Sequence, residues 1–140
     1  VSGVASTPAE VASAYFAGVT AGDAGAVKAL FAADALLQNA SGTLVGAEAI
    51  GRMYEGGFAA ATMAPAPRTY VVDGDRVAVE IDLDVNGRTV VLGDFFTVRE
   101  GKITRLAIYS LNPDGGRLLN DVGVDPAKQN STQLSAEGAS

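Results

Sequence analysis

The chain of 140 residues contains no cysteine, no histidine and no tryptophan, and it carries ten lysines and arginines against sixteen aspartates and glutamates. Without thiols there is no disulfide and no thiolate nucleophile. Without imidazole the Ser/His/Asp triad and the commonest zinc and haem ligands are excluded too. Carboxylates, amides, hydroxyls and shape remain, so neither a metal site nor a cofactor is expected. A net charge of −6 supplies none of the basic field that displaces counterions from nucleic acid or holds an anionic membrane, and neither is expected as a partner. No apolar run approaches the ~20 residues of a spanning helix, and residues 1–12 lack the charged start and apolar stretch of a signal peptide. A cytoplasmic location is the expectation. The Gly-rich texts Glu55-Gly56-Gly57 and Asp114-Gly115-Gly116 are not followed by Lys-Ser/Thr, which sets nucleotide binding aside.

What is present is apolar material, 48% of the residues, enough for one hydrophobic core in a chain of this length. Thr7-Pro8-Ala9-Glu10 is a capping box with proline at the first helical position. A helix is predicted from there to the break at Ala21-Gly22-Asp23, and Asp23 caps a second one over 24–31. Short extended pieces follow at 35–39 and 43–45 around Ser41-Gly42, then a third helix over 47–61. From Arg68 onward the apolar period becomes two. Turn signals at Asp73-Gly74-Asp75, Asn86-Gly87 and Glu100-Gly101 divide this stretch into a four-stranded antiparallel meander. The expected class is α+β, with three N-terminal helices packed on a strongly curved antiparallel sheet that forms a cone-shaped barrel around an apolar pocket. The domain is expected over 7–112, between an extension at 1–6 and a largely flexible one at 113–140. Within the latter, 117–122 could form one helical turn and 127–140 a mobile tail.

On the second strand of the meander Val77, Val79, Ile81 and Leu83 share one face, and Glu80, Asp82 and Asp84 the other, where water solvates them. On the third strand Val90, Leu92, Asp94 and Phe96 are in phase. Asp94 is then a carboxyl among apolar neighbours, and desolvation would keep it protonated near neutral pH, able to donate a proton or a hydrogen bond. A bulge at Gly93 would reverse the phase and turn Asp94 to solvent. Of Gln38 and Asn39, one points inward and one outward. Tyr15 on the first helix and Tyr54 on the third lie on apolar stripes, where a phenol packs in the core or donates to a developing oxyanion.

Ala14-Tyr15-Phe16, Gly22-Asp23-Ala24, Leu30-Phe31-Ala32-Ala33-Asp34-Ala35, Gly46-Ala47-Glu48-Ala49-Ile50, Met53-Tyr54, Asp94-Phe95-Phe96 and Glu100-Gly101-Lys102-Ile103, in this order, resemble the nuclear transport factor 2-like superfamily, in its SnoaL-like and ketosteroid-isomerase-like branch. The resemblance implies a hydrogen-bonding tyrosine at Tyr15 and a protonated acid of an oxyanion hole at Asp94. The isomerases' general base falls at Asn39, and an amide cannot take up a proton there. Polyether epoxide hydrolases and cyclases are similar too, with paired carboxyls, one at the position of Asp94 in some members. The aspartate that limonene-epoxide-hydrolase-like members need on the last strand is replaced by Leu106-Ala107-Ile108-Tyr109.

The expected function is a cofactor-independent acid/base enzyme, cyclase or isomerase, acting on a hydrophobic polyketide- or steroid-like molecule. Asp94, Tyr15 and Asn39 are the expected catalytic residues. Tyr54, Phe58, Val77, Val79, Ile81, Leu83, Leu92, Phe96, Leu106 and Ile108 are expected to line the pocket. The alternatives are an epoxide-opening enzyme and a non-catalytic binder of hydrophobic ligands. The family resemblance implies a homodimer.

Overall fold

The computed structural model describes residues 6–111. The expected helical turn at 117–122 and tail from 113, and all but the last residue of the extension at 1–6, lie outside them.

The capping box forms as the sequence requires. Thr7 Oγ1 accepts from the Glu10 amide at 3.2 Å, and the Glu10 carboxylate accepts from the Thr7 amide at 2.8 Å. Helix α1 (Pro8–Ala21) starts there and buries Val11, Ala12, Tyr15, Phe16 and Val19, one stripe at helical spacing. It stops at Gly22 in the left-handed region. Helix α2 (Ala24–Lys28) is capped by Asp23 and ends three residues before the predicted boundary. Phe31 buries its ring as the first residue of a strand instead. Helix α3 (Ala47–Ala60) buries Ile50 and Tyr54.

Six strands follow or interrupt the helices: β1 (Phe31–Asn39), β2 (Gly42–Val45), β3 (Met63–Asp73), β4 (Arg76–Val85), β5 (Arg88–Arg99) and β6 (Lys102–Ser110). Their order is β2-β1-β6-β5-β4-β3, so the sheet is open at both edges. The predicted meander is β3 to β6. The sheet is mixed rather than wholly antiparallel, because β1 pairs parallel to β6. Of the four two-residue hairpins, β4–β5 and β5–β6 turn through Asn86-Gly87 and Glu100-Gly101, all four residues at positive φ, the turn whose twist matches that of the flanking strands. β3 begins five residues earlier than the period-two pattern indicates. Pro65 and Pro67 obscure its start, yet they pair with Leu83 and Ile81, and they are tolerated because β3 is an edge strand. Register shifts interrupt β3 after Pro67 and the β5–β6 pairing after Thr97, and such irregularities increase local bend and twist.

The pairing of β4 with β5 runs without interruption from Arg76↔Thr97 to Val85↔Arg88. Gly93 therefore makes no bulge, and Asp94 faces the helices with Leu92 and Phe96. Glu80 and Asp82 face outward and hold Arg68 at 3.1 and 2.6 Å. No group of three or more metal-ligating side chains gathers among the described residues, and no helix among them is long and apolar enough to cross a membrane.

Candidate active site

Between α1, α3 and the inner face of the sheet lies a cavity of about 140 Å³, lined by Tyr15, Phe16, Val19, Met53, Tyr54, Met63, Pro65, Ile81, Leu83, Leu92, Asp94 and Ile108. Asp94 is flanked across the sheet by Val79 and Ile108 and is only 2% exposed. It is the one buried polar or charged residue among the described ones, and its Oδ1 has no hydrogen-bond partner. A buried acceptor without a partner costs roughly 1–3 kcal/mol and more when charged, so a ligand that satisfied it would be favoured by that amount. Burial pushes the carboxyl of Asp94 up to about 7. An apolar surrounding with no cation in it disfavours the carboxylate.

Tyr15 from α1 and Tyr54 from α3 meet over the same cavity, hydroxyl hydrogen-bonded to hydroxyl, with ring centroids 5.9 Å apart. Burial raises both phenols well above their ordinary value, and at Tyr15 the neighbouring Tyr54 and the charge of Asp94 add to the rise. At Tyr54 the bond from Tyr15 offsets part of the rise, to which Asp94 adds. Both are neutral donors at any physiological pH. Two phenols sharing one hydrogen bond use one of their two hydrogens, which leaves the other for a third group. The cavity thus offers a phenolic O–H and a carboxylic O–H in a setting that is otherwise hydrocarbon and thioether.

The sequence-predicted residues divide into three sets. Tyr15, Asp94, Tyr54, Ile81, Leu83, Leu92 and Ile108 come together around the cavity. Val77, Val79, Phe96 and Leu106 are buried in the core beneath it without lining it, and Phe58 packs half-buried on the ring of Tyr54 at 5.6 Å. Asn39 stands apart from both sets. It is exposed at the end of β1, and its Oδ1 accepts from the Ser41 amide at 2.9 Å. That turn hydrogen bond occupies its Oδ1, and Asn39 is not among the residues that line the cavity. Gln38, on the face of β1 opposite the buried Leu37, accepts from Arg105 at 2.8 Å. The expected wall lacked five residues. Phe16 and Val19 share the face of Tyr15 at one and four residues' distance and could have been read from helical spacing. Met53 adjoins Tyr54, and Met63 and Pro65 lie on the part of β3 that its prolines hid.

This arrangement of helices over an open mixed sheet is the nuclear transport factor 2-like α+β fold, which 362 solved chains match. A fold so widely shared does not by itself assign a reaction. The family model described as "SnoaL-like domain" matches residues 12–106, and the chain belongs to that family. A candidate polyketide cyclase from Sinorhizobium meliloti is similar at 30% identity and a TM-score of 0.66, over 71% of this chain and 93% of that one. A protein of ketosteroid-isomerase-like fold from Catenulispora acidiphila, in complex with trimethylamine, is 26% identical with a TM-score of 0.66, over 74% and 86%. An NTF2-like protein of unknown function from Cytophaga hutchinsonii shares the fold with a TM-score of 0.70 at 17% identity, over 81% and 96%. A search of curated proteins found no match.

Proposed function

We propose that the chain is a cofactor-independent acid/base enzyme, a cyclase or isomerase, for a hydrophobic molecule that presents a carbonyl or related oxygen to Asp94. One observation carries this reading: a buried carboxyl without a hydrogen-bond partner faces an apolar cavity beside a pair of phenols. The similarity to a candidate polyketide cyclase supports the same class of substrate. Asp94 donates its proton to the substrate's carbonyl oxygen, and the phenolic O–H holds that oxygen. The carboxylate left behind has little water around it and is correspondingly basic. It then takes a proton from the adjacent carbon, whose C–H electrons form the C=C bond of the enol, so that Asp94 is protonated again and one group serves in turn as acid and base. Such a cycle needs no second carboxylate, in keeping with a cavity whose titratable lining residues are Asp94, Tyr15 and Tyr54 alone. Epoxide opening is the variant in which the same proton goes to an epoxide oxygen.

The test is Asp94→Asn against a panel of cyclic ketones, polyketide-like enones and epoxides. Turnover by the native chain should fall at least ~10²-fold in the variant with binding retained, the usual range for an acid/base group. Equal rates would refute the proposal.

A second reading, a non-catalytic pocket for a small apolar ligand, is favoured by the trimethylamine complex of the Catenulispora neighbour. Under it Asp94 ionises against an ammonium group, and no compound of the panel is turned over. On either reading we propose that a second copy covers the outer face of the sheet, where Phe95 and Tyr109 stack edge to face at 5.5 Å while 49% and 60% exposed.

A further inference from the structure

The lining of the cavity changes in character from one end to the other. Tyr15, Phe16, Val19, Tyr54, Ile81 and Asp94 are buried, whereas Met53, Met63, Pro65, Leu83, Leu92 and Ile108 are half-exposed. All the polar groups therefore lie at the closed end and the open rim is hydrocarbon and thioether, which orients a ligand with its oxygen inward and its apolar part toward solvent. The cavity's size limits the part of the ligand that it encloses. Its volume of about 140 Å³ is close to that of an engineered apolar cavity of about 150 Å³ that holds one benzene.

One rim residue stands out by how it is seated. Met63 is the first residue of β3, and its chain folds back over the last turn of α3. Its terminal methyl lies 3.2 Å from where a Cβ on Gly57 would stand. A side chain at position 57 would press on that methyl and move it by a few tenths of an ångström, whereas glycine leaves it in place with the thioether between the helix and the edge of the sheet.

We propose that the site takes a substrate whose buried part is a single six-membered ring bearing the reacting oxygen, and that Met63, seated on Gly57, excludes a second fused ring. This rests on Asp94 and the phenol pair as donors to that oxygen. Met63 is a specificity-determining residue, distinct from the groups that handle the proton.

The experiment titrates the full chain at pH 6 with cyclohexanone and with 2-decalone, each labelled with carbon-13 at the carbonyl, and follows both the affinity and the carbonyl shift by NMR. If the cavity admitted the second ring, its extra carbons would raise affinity on the order of a hundredfold. The expected result is that the native chain and Met63→Leu, which keeps the volume, bind the two ketones within about threefold of one another. Met63→Ala should then favour decalone by about tenfold or more, because the space it vacates is filled by the second ring. A native chain that binds decalone about a hundredfold tighter, or a Met63→Ala variant with an unchanged preference, overturns the proposal. The carbonyl shift reports the donors separately. A signal that does not move downfield on binding, and is the same in Asp94→Leu, refutes the donor reading while the size ranking remains measurable. Binding of neither ketone overturns both.

Discussion

An aspartate ordinarily releases its proton near 3.9, and Asp94 holds it to about 7 because burial removes the water that would stabilise the carboxylate. The consequence for stability has a definite sign. Below pH 4 both the folded and the unfolded chain carry the proton, and the group contributes nothing. Between about 4 and 7 the unfolded chain ionises first, so folding loses stability as pH rises. Above 7 the loss is constant at ~4 kcal/mol, three pKa steps at 1.36 kcal/mol each. Asp94→Asn removes this dependence. Urea denaturation should show the variant more stable than the native chain by a few kcal/mol at pH 8, with the difference shrinking toward pH 4. Parallel curves at all pH values would contradict the assignment. The phase of Asp94 was legible in the alternation of β5, since Val90, Leu92 and Phe96 declare the inner face. The Tyr15–Tyr54 bond was not, because each phenol sits on its own helix and nothing local to either helix fixes where the other passes. Which partner the Asn39 amide takes was not legible, because two residues before Ser41 it satisfies the turn as readily as it would a ligand.

Elements with local punctuation were readable, and those set by distant pairing were not. The capping box fixed the start of α1, and Asn86-Gly87 and Glu100-Gly101 fixed the hairpins. The parallel union of β1 with β6 joins segments more than sixty residues apart, and nothing in either text declares it. The seat of α2 against α1 is likewise tertiary. A Cβ on Gly18 would stand 2.8 Å from a methyl of Val27, a side chain that is 0% exposed. Gly18→Ala therefore trades a gain in helix propensity of about 1 kcal/mol against overpacking of about 1–3 kcal/mol. Val27 has nowhere to retreat, and the net expectation is a lower melting temperature by calorimetry. A rise would mean that α1 and α2 separate at little cost.

At the scale of the whole molecule, the outer sheet face presents a groove of about 630 Å³ lined by Val71, Ala78, Phe95, Tyr109, Arg76 and Arg105 among others. The rows of the sheet order its charge. Asp73, Arg76, Thr97 and Arg105 lie abreast, while Glu80 and Asp82, which hold Arg68, and then Asp84 lie successively farther along β4. A two-fold axis through the Phe95–Tyr109 pair would lay this groove on its copy and cover both rings, the isologous arrangement of most homodimers. Light scattering should give twice the chain mass for the native protein and the chain mass for Phe95→Glu, with the far-ultraviolet circular dichroism unchanged. A native monomer at high micromolar concentration would contradict the dimer without touching the cavity, which one copy builds alone.

The proposed chemistry requires Asp94 to be a neutral acid inside an apolar cavity, and carboxyl carbon NMR over a pH titration measures that directly, with Asp94→Asn assigning the signal. The expected midpoint is near 7, with the proton held through the range in which every solvated carboxylate has lost its own. A midpoint at or below ~3.9 would mean a solvated or paired carboxylate, and Asp94 could then be neither the acid nor the donor assigned to it.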